Sequence, residues 1–149
     1  MSRVILLDSG PLGLVTNPGG SKQTAACGRW LQQVVVDGAR VMVPEIADYE
    51  VRRELIRARR TGGIARLDAL IAQVGYLALT TKAMRQAAMF WAEARQQGRP
   101  TAVDPALDGD VILAAQAATL ELTDVVVATT NVRHLSRFVL AALWSDIAG

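Results

Sequence analysis

The apolar residues of this chain fall into two kinds of run. Val4-Ile5-Leu6-Leu7, Val41-Met42-Val43 and Val125-Val126-Val127-Ala128 are short and uninterrupted. The stretches between them are longer and mix apolar with polar positions, as helices do. The first strand is expected over 3–7, ending at Asp8. Ser9-Gly10-Pro11-Leu12-Gly13 then turns the chain into a short helix that stops near Asn17-Pro18-Gly19-Gly20. A helix is predicted over 22–36, with Trp30 among its apolar positions. The second strand covers 41–43, and Pro44 suits the first turn of a helix that runs to about Arg60. Thr61-Gly62-Gly63 should break that helix before another over 64–74. A third strand is expected over 76–79. Thr80 or Thr81 caps a long helix to about Gln97, which Gly98 ends. The next helix covers 105–121, with Asp104 as its N-cap and Pro105 in its first turn. Thr129-Thr130-Asn131 leaves the strand that starts at Val125, and 141–144 forms a last, short strand.

Strands that are apolar throughout, separated by helices, specify an α/β fold with a parallel sheet covered on both faces. No repeat, linker or composition shift divides residues 1–149, so one domain is expected. In such folds the ligand crevice lies outside the carboxyl ends of the strands. Asp8 ends the first strand. Glu45, Asp48, Glu50 and Glu54 follow the second, and Asn131 follows the strand at 125–128. If the loop over 98–104 crosses to the same edge, Asp108 and Asp110 join them, and carboxylates from distant parts of the chain converge on one rim.

The stretch DGDVILAAQA, residues 108–117, sharpens this expectation. Asp104 has a capping role, but Asp108 and Asp110 lie about a turn further in, too late to cap. Gly109 between them costs roughly 1 kcal/mol of helix propensity relative to alanine. No Lys or Arg lies three or four residues from Asp110. An acid there can gain from the helix dipole, or it can take a partner from elsewhere. A hard divalent cation is one such partner, because Mg²⁺ prefers oxygen ligands and keeps several waters.

Composition narrows the classes. Half of the 149 residues are hydrophobic and a fifth charged, which fits a globular chain. No apolar run is long enough to span a membrane, and the apolar run after Met1-Ser2-Arg3 is too short for a secretory signal. A single cysteine, Cys27, excludes an internal disulfide and a cysteine metal cluster; a reducing cytoplasm and a buried, small-hydrophobe role are expected of it. The net charge is +2, and of the sixteen basic residues only Lys22 and Lys82 are lysine. Arg52, Arg53, Arg57, Arg59, Arg60 and Arg66 cluster after the second strand. They form either a solvated helix face or a surface for phosphates, onto which guanidinium groups fork. His134 is the single histidine and is expected on a surface loop, so no Ser–His–Asp set is credible. No Walker-type phosphate loop is present.

Four segments together resemble PIN domains, and among them the VapC-like toxins of toxin–antitoxin systems. VILLDSGPLG is similar to the family's opening strand and acid, at Asp8. VPEIADYEVRREL looks like its strand-to-helix segment, with Glu50 at the matching spacing and Glu54 one turn later as the alternative. DGDVILAAQA resembles the pattern Asp-x-x-Ile-Ala-x-x-Ala, with Asp110 in register and Asp108 out of it. VVVATTNVRHLSRF resembles the last motif, through Thr129 and Asn131. The resemblance spans nearly the whole chain. It implies a PIN-like three-layer α/β/α fold with a short parallel sheet of four to five strands. It implies a metal-dependent endoribonuclease acting on RNA phosphodiesters, with Asp8, Glu50, Asp110 and Asn131 as catalytic residues. Asp8, Glu50 and Asp110 would hold Mg²⁺ or Mn²⁺, and Thr129 would contact substrate; Arg53 and Arg57, spaced i, i+4 on the helix face that borders Glu50, are the arginines expected to hold RNA phosphates. It also implies a homodimer and a small antitoxin partner. Asn131 departs from the acid of the pattern and brings no charge to a second metal. A PIN-like module that only binds RNA or protein is the alternative. A response-regulator-like receiver is disfavoured, since Asp8 stands alone and no Lys follows residue 82.

Overall fold

The computed structural model describes residues 2–17, 19–97 and 104–149, without the side chains of 104–106. Its elements run β1 (Val4–Leu7), α1 (Ser9–Thr16), α2 (Lys22–Val36), β2 (Arg40–Pro44), α3 (Glu45–Arg57), α4 (Thr61–Gln73), β3 (Gly75–Leu77), α5 (Thr81–Gln96), α6 (Asp104–Ala118), β4 (Val125–Thr129), α7 (Val132–Leu135) and β5 (Ala141–Leu143), then a short 3₁₀ turn. The five strands form one sheet in the order β3-β2-β1-β4-β5, and every pairing is parallel.

Alternation along each strand separates two cores. Ile5, Leu7, Val41, Val43, Val126 and Ala128 face one side, against Leu12 of α1, Leu31 and Val34 of α2, Val51 of α3 and Leu67 of α4. Val4, Leu6, Met42 and Val127 face the other, against Leu113, Ala114 and Ala117 of α6 and Leu135 of α7. Helix α5 packs outside α6 through Ala87, Ala94 and Ala115. Both faces are covered, which is why the strands read as unbroken apolar runs. The three layers and the parallel sheet match the expected fold. Cys27 is fully buried, and no helix among the described residues is long and apolar enough to cross a membrane.

Several boundaries differ from expectation. Helix α3 ends at Arg57, and the break falls at 58–60, where Arg59 takes a left-handed φ of 57°. Gly62 and Gly63 are not the break but the first turn of α4. Gly63 has a packing reason, because a Cβ there would meet Leu55 Cδ2 at 2.7 Å. A Cβ there would force the Leu55 side chain to shift between α3 and α4. The third strand stops at Leu77 rather than Leu79. The Leu79 N–H instead donates to Glu45 Oε1 at 2.7 Å and pulls the chain towards α3. Helix α6 ends at Ala118, short of residue 121. Thr80 is the cap of α5, accepting from Ala83 N at 3.0 Å. The cap expected of the Asp104 side chain and the crossing over 98–103 lie outside the described residues.

One polar side chain bolts α6 into the fold. Gln116 is buried; its Nε2 donates to the Leu77 carbonyl at 2.8 Å and its Oε1 accepts from Ile46 N at 3.3 Å. It joins the end of β3 and the start of α3 to the helix that carries Asp110. Gln116→Leu would leave both backbone groups buried without partners, at about 1–3 kcal/mol each in the worst case. A loss of about 2–3 kcal/mol in urea unfolding is the expected outcome, with an unchanged m-value.

Candidate active site

The strand order reverses between β1 and β4. Chain leaving β1 enters α1 on one face, and chain leaving β4 enters α7 on the other, so a crevice opens at the carboxyl ends between them. Asp8 sits there as the N-cap of α1. Its Oδ1 accepts from Ser9 N at 2.7 Å, and its Oδ2 accepts from the Thr129 hydroxyl at 2.7 Å. The Thr129 hydroxyl in turn accepts from Asn131 N at 2.9 Å. Thr129 is fully buried. It therefore holds Asp8 in place and has no surface for the substrate contact expected of it. Gly10 lets this turn close, since a Cβ there would meet Thr130 Oγ1 at 2.5 Å.

Glu50 reaches the same crevice from α3 and Asp110 from α6. Both are half-buried. Burial pushes the Glu50 carboxyl up to about 6, with Asp8 and Asp110 adding to the rise and Arg53 opposing it. Burial likewise raises Asp110 to about 6, with Asp8 adding and His134 opposing. Glu50 and Asp110 thus resist ionising beside the Asp8 carboxylate. Asp110 Oδ2 is buried and has no hydrogen-bond partner. It lies 3.3 Å from His134 Nδ1, an ion pair only when the imidazole is protonated, and the same nitrogen is 2.9 Å from Asn131 Nδ2.

The surface loop expected for His134 is not what the fold provides. His134 sits on α7 with a side chain 23% exposed, at the acidic rim. The signal for it in sequence is the three-residue spacing from Asn131, which a single helical turn brings together. Asn131 is exposed, turned towards His134.

The other acids do different work. Asp48 takes Arg52 at 3.0 Å and the Tyr76 hydroxyl at 2.9 Å. Glu45 holds Leu79 N. Glu54, the alternative to Glu50, pairs with Arg57 at 2.7 Å in the open. Asp108 is exposed beside Trp91 and Ile112, on the side of α6 that meets α5. Asp8, Glu50 and Asp110 are the acids whose charges meet in the crevice.

The arginines divide in the same way. Arg52 also pairs with Asp68 at 2.8 Å, which clamps α3 to α4. Arg53 lies over the Tyr49 ring, 5.0 Å from its centroid. Arg53, Arg57 and Arg60 line a cleft of about 610 Å³ between α1 and α3 that has Ser9 and Glu50 in its wall. The expected neighbourhood of Arg53, Arg57 and Glu50 is present, with positive charge beside the acidic rim.

The donor set suits a hard cation in kind: carboxylate oxygens, one of them buried without a hydrogen bond. Among the described residues no three His, Cys, Asp or Glu side chains are grouped closely enough to hold one ion together. An ion would take one or two carboxylates and keep water in its other positions, which is the habit of Mg²⁺.

The sequence matches no family model and no curated protein. Solved structures do match. VapBC2 from Rickettsia felis, bound to a DNA fragment from its promoter, contains a chain that aligns with a TM-score of 0.73 at 12% identity, over 95% of this chain and 98% of that one. FitAcB from Neisseria gonorrhoeae aligns with a TM-score of 0.68 at 18% identity, over 96% and 99%. VapBC-1 from nontypeable Haemophilus influenzae aligns with a TM-score of 0.67 at 17% identity, over 96% and 99%. At this level of identity the likeness is one of architecture, and it spans nearly the full length on both sides: the chain has the PIN-like fold found in the VapBC structures.

Proposed function

We propose that the chain is a metal-dependent endoribonuclease, the toxin of a type II toxin–antitoxin pair, using Mg²⁺ or Mn²⁺ at the rim formed by Asp8, Glu50 and Asp110, each ion taking one or two of these carboxylates and completing its shell with water. The observation that carries this reading is the buried Asp110 Oδ2 at the carboxyl edge between β1 and β4, which has no hydrogen bond and only His134 beside it, in a crevice it shares with the Asp8 and Glu50 carboxylates. A divalent ion lowers the pKa of bound water and neutralises charge developing at the phosphorus. The chain's own residues supply the rest. Thr129 and Ser9 N orient Asp8 through its two oxygens. Asn131 and His134 stand at the open side of the rim, where a phosphodiester would enter. Arg53 and Arg57 attract RNA phosphates that the carboxylates would otherwise repel. The Arg57–Glu54 pair is exposed, so exchanging Glu54 for a phosphate costs little.

Structural neighbours drawn from VapBC complexes support an antitoxin partner. An arginine from such a partner would satisfy the same carboxylates with bidentate bonds. A homodimer and a cytoplasmic location belong to the same reading. One feature favours the alternative, a PIN-like module that binds RNA or protein without cutting: Asn131 brings no charge to the last acidic position. Purified protein with end-labelled single-stranded RNA decides between them. Cleavage that needs Mn²⁺ or Mg²⁺ and disappears in Asp110→Asn is expected; binding without cleavage at any metal concentration would establish the module instead.

The crowded acids set a pH dependence. Glu50 and Asp110 have folded-state pKa values near 6, above their values of 4.5 and 3.8 elsewhere. Between about pH 4 and 6 the folded chain therefore holds protons that the unfolded chain has released, and stability falls as pH rises. In metal-free protein, Asp110→Asn should be more stable than wild type by about 1–2 kcal/mol above pH 7, a value discounted for the open side of the crevice. The difference should vanish near pH 4. Added Mn²⁺ should reverse the order at pH 8, because it binds the folded wild type and not the variant. Thermal melts across this pH range, with and without Mn²⁺, check both signs.

The arginine cleft is tested by salt. Arg53→Ala with Arg57→Ala should weaken binding of a single-stranded RNA. It should also lower the slope of log affinity against log salt by roughly 0.7 for each phosphate that the protein no longer neutralises. Fluorescence anisotropy in Ca²⁺, chosen to suppress cleavage, gives the slope; an unchanged slope would make these arginines a solvated face.

A further inference from the structure

Glycine is a poor choice inside a helix, yet Gly109 sits within α6, immediately before Asp110. Its backbone gives no reason for the choice, since its φ is not in the left-handed region that favours glycine. Its surroundings do. A Cβ built on Gly109 would lie 2.6 Å from Glu50 Oε2, 3.2 Å from Glu50 Cδ and 3.5 Å from Glu50 Oε1. The three nearest atoms all belong to one carboxylate, which arrives from α3. A carbon and an oxygen do not approach to 2.6 Å, so any side chain at 109 displaces that carboxylate.

We propose that Gly109 is a positioning residue: its missing side chain is the seat that lets the Glu50 carboxylate lie against α6, beside Asp110. The proposal rests on the metal reading of the rim and adds to it a residue that touches neither metal nor RNA. Glu50 is a flexible side chain, and its backbone lies away from the clash. Alanine at 109 therefore moves the carboxylate and leaves the packing of α3 on α6 in place. Gly109 offers Glu50 room and no hydrogen-bonding side chain, so what it controls is where the charge sits.

The test uses the whole chain and two readouts. The first is the metal-free Tm in a cycle of Gly109→Ala and Glu50→Ala. With Glu50 removed, alanine at 109 should raise Tm by roughly 2–4 °C through helix propensity. With Glu50 present the rise should be clearly smaller, because the carboxylate must give up its seat. The second is the Tm increase on adding Mn²⁺. Gly109→Ala should lose at least half of the wild-type increase. Glu50→Asp, one methylene shorter, should restore part of it in the Gly109→Ala background while weakening it when Gly109 is present. Additive Tm effects, or an undiminished Mn²⁺ response in Gly109→Ala, would overturn the proposal. A wild type that does not respond to Mn²⁺ would remove the metal reading instead, and the metal-free cycle would then decide the seat by itself.

Discussion

Like charges held close together in a half-buried crevice are what the rest of this structure is arranged around. A parallel sheet delivers the ends of β1 and β4 to one edge, and α3 and α6 lean over that edge from opposite faces. Asp8, Glu50 and Asp110 arrive from three of these elements. Each has a different support. Asp8 is fixed through both oxygens by a backbone amide and a buried threonine. Glu50 lies in the gap left by a glycine. Asp110 sits on a helix pinned by Gln116 and has one buried oxygen without a hydrogen bond. A protein that selected for stability alone would relieve this strain with a single amide.

The opposite sign lies next door. Arg53 borders Glu50 on α3 and lowers the cost of its charge, while Arg57 and Arg60 continue the positive wall of the cleft. Helix α3 thus carries both signs in stripes. Asp48 and Arg52 turn towards α4 and β3 as internal ties, and Glu50 and Arg53 turn towards the crevice. The division is made by helical phase, so residues adjacent in sequence serve unrelated ends.

That phase explains what is legible in the sequence. The uniform apolar strands announce a covered parallel sheet, and the edge rule then places Asp8 and the acids after the second strand on one rim; it is the resemblance to PIN domains that singles out Glu50 and Asp110 among the candidates. Helix ends are harder. The glycine pair at 62–63 looks like a break and is a contact surface, because its cause is Leu55 on another helix. The same holds at Gly109, whose reason lies fifty-nine positions earlier at Glu50. His134 is legible only through its three-residue spacing from Asn131, because a four-residue helix leaves no periodic signature. Thr129 can be placed at the strand end but not oriented, since alternation along β4 decides that it points inward. Each of these features is a tertiary contact that local pattern does not encode.

The register of the central strands bears on when the crevice exists at all. Val4 of β1 lies beside Val125 of β4, and Val4 N donates to the Asp124 carbonyl. During synthesis the first strand emerges long before its neighbour, and pairings this distant close slowly. Thr129, which orients Asp8, follows it by 121 residues. A nascent or truncated chain that stops before β4 has its acids but no rim on which to gather them. Until β4 has been added, the crevice between β1 and β4 does not exist, and Asp8 lacks the threonine that orients it.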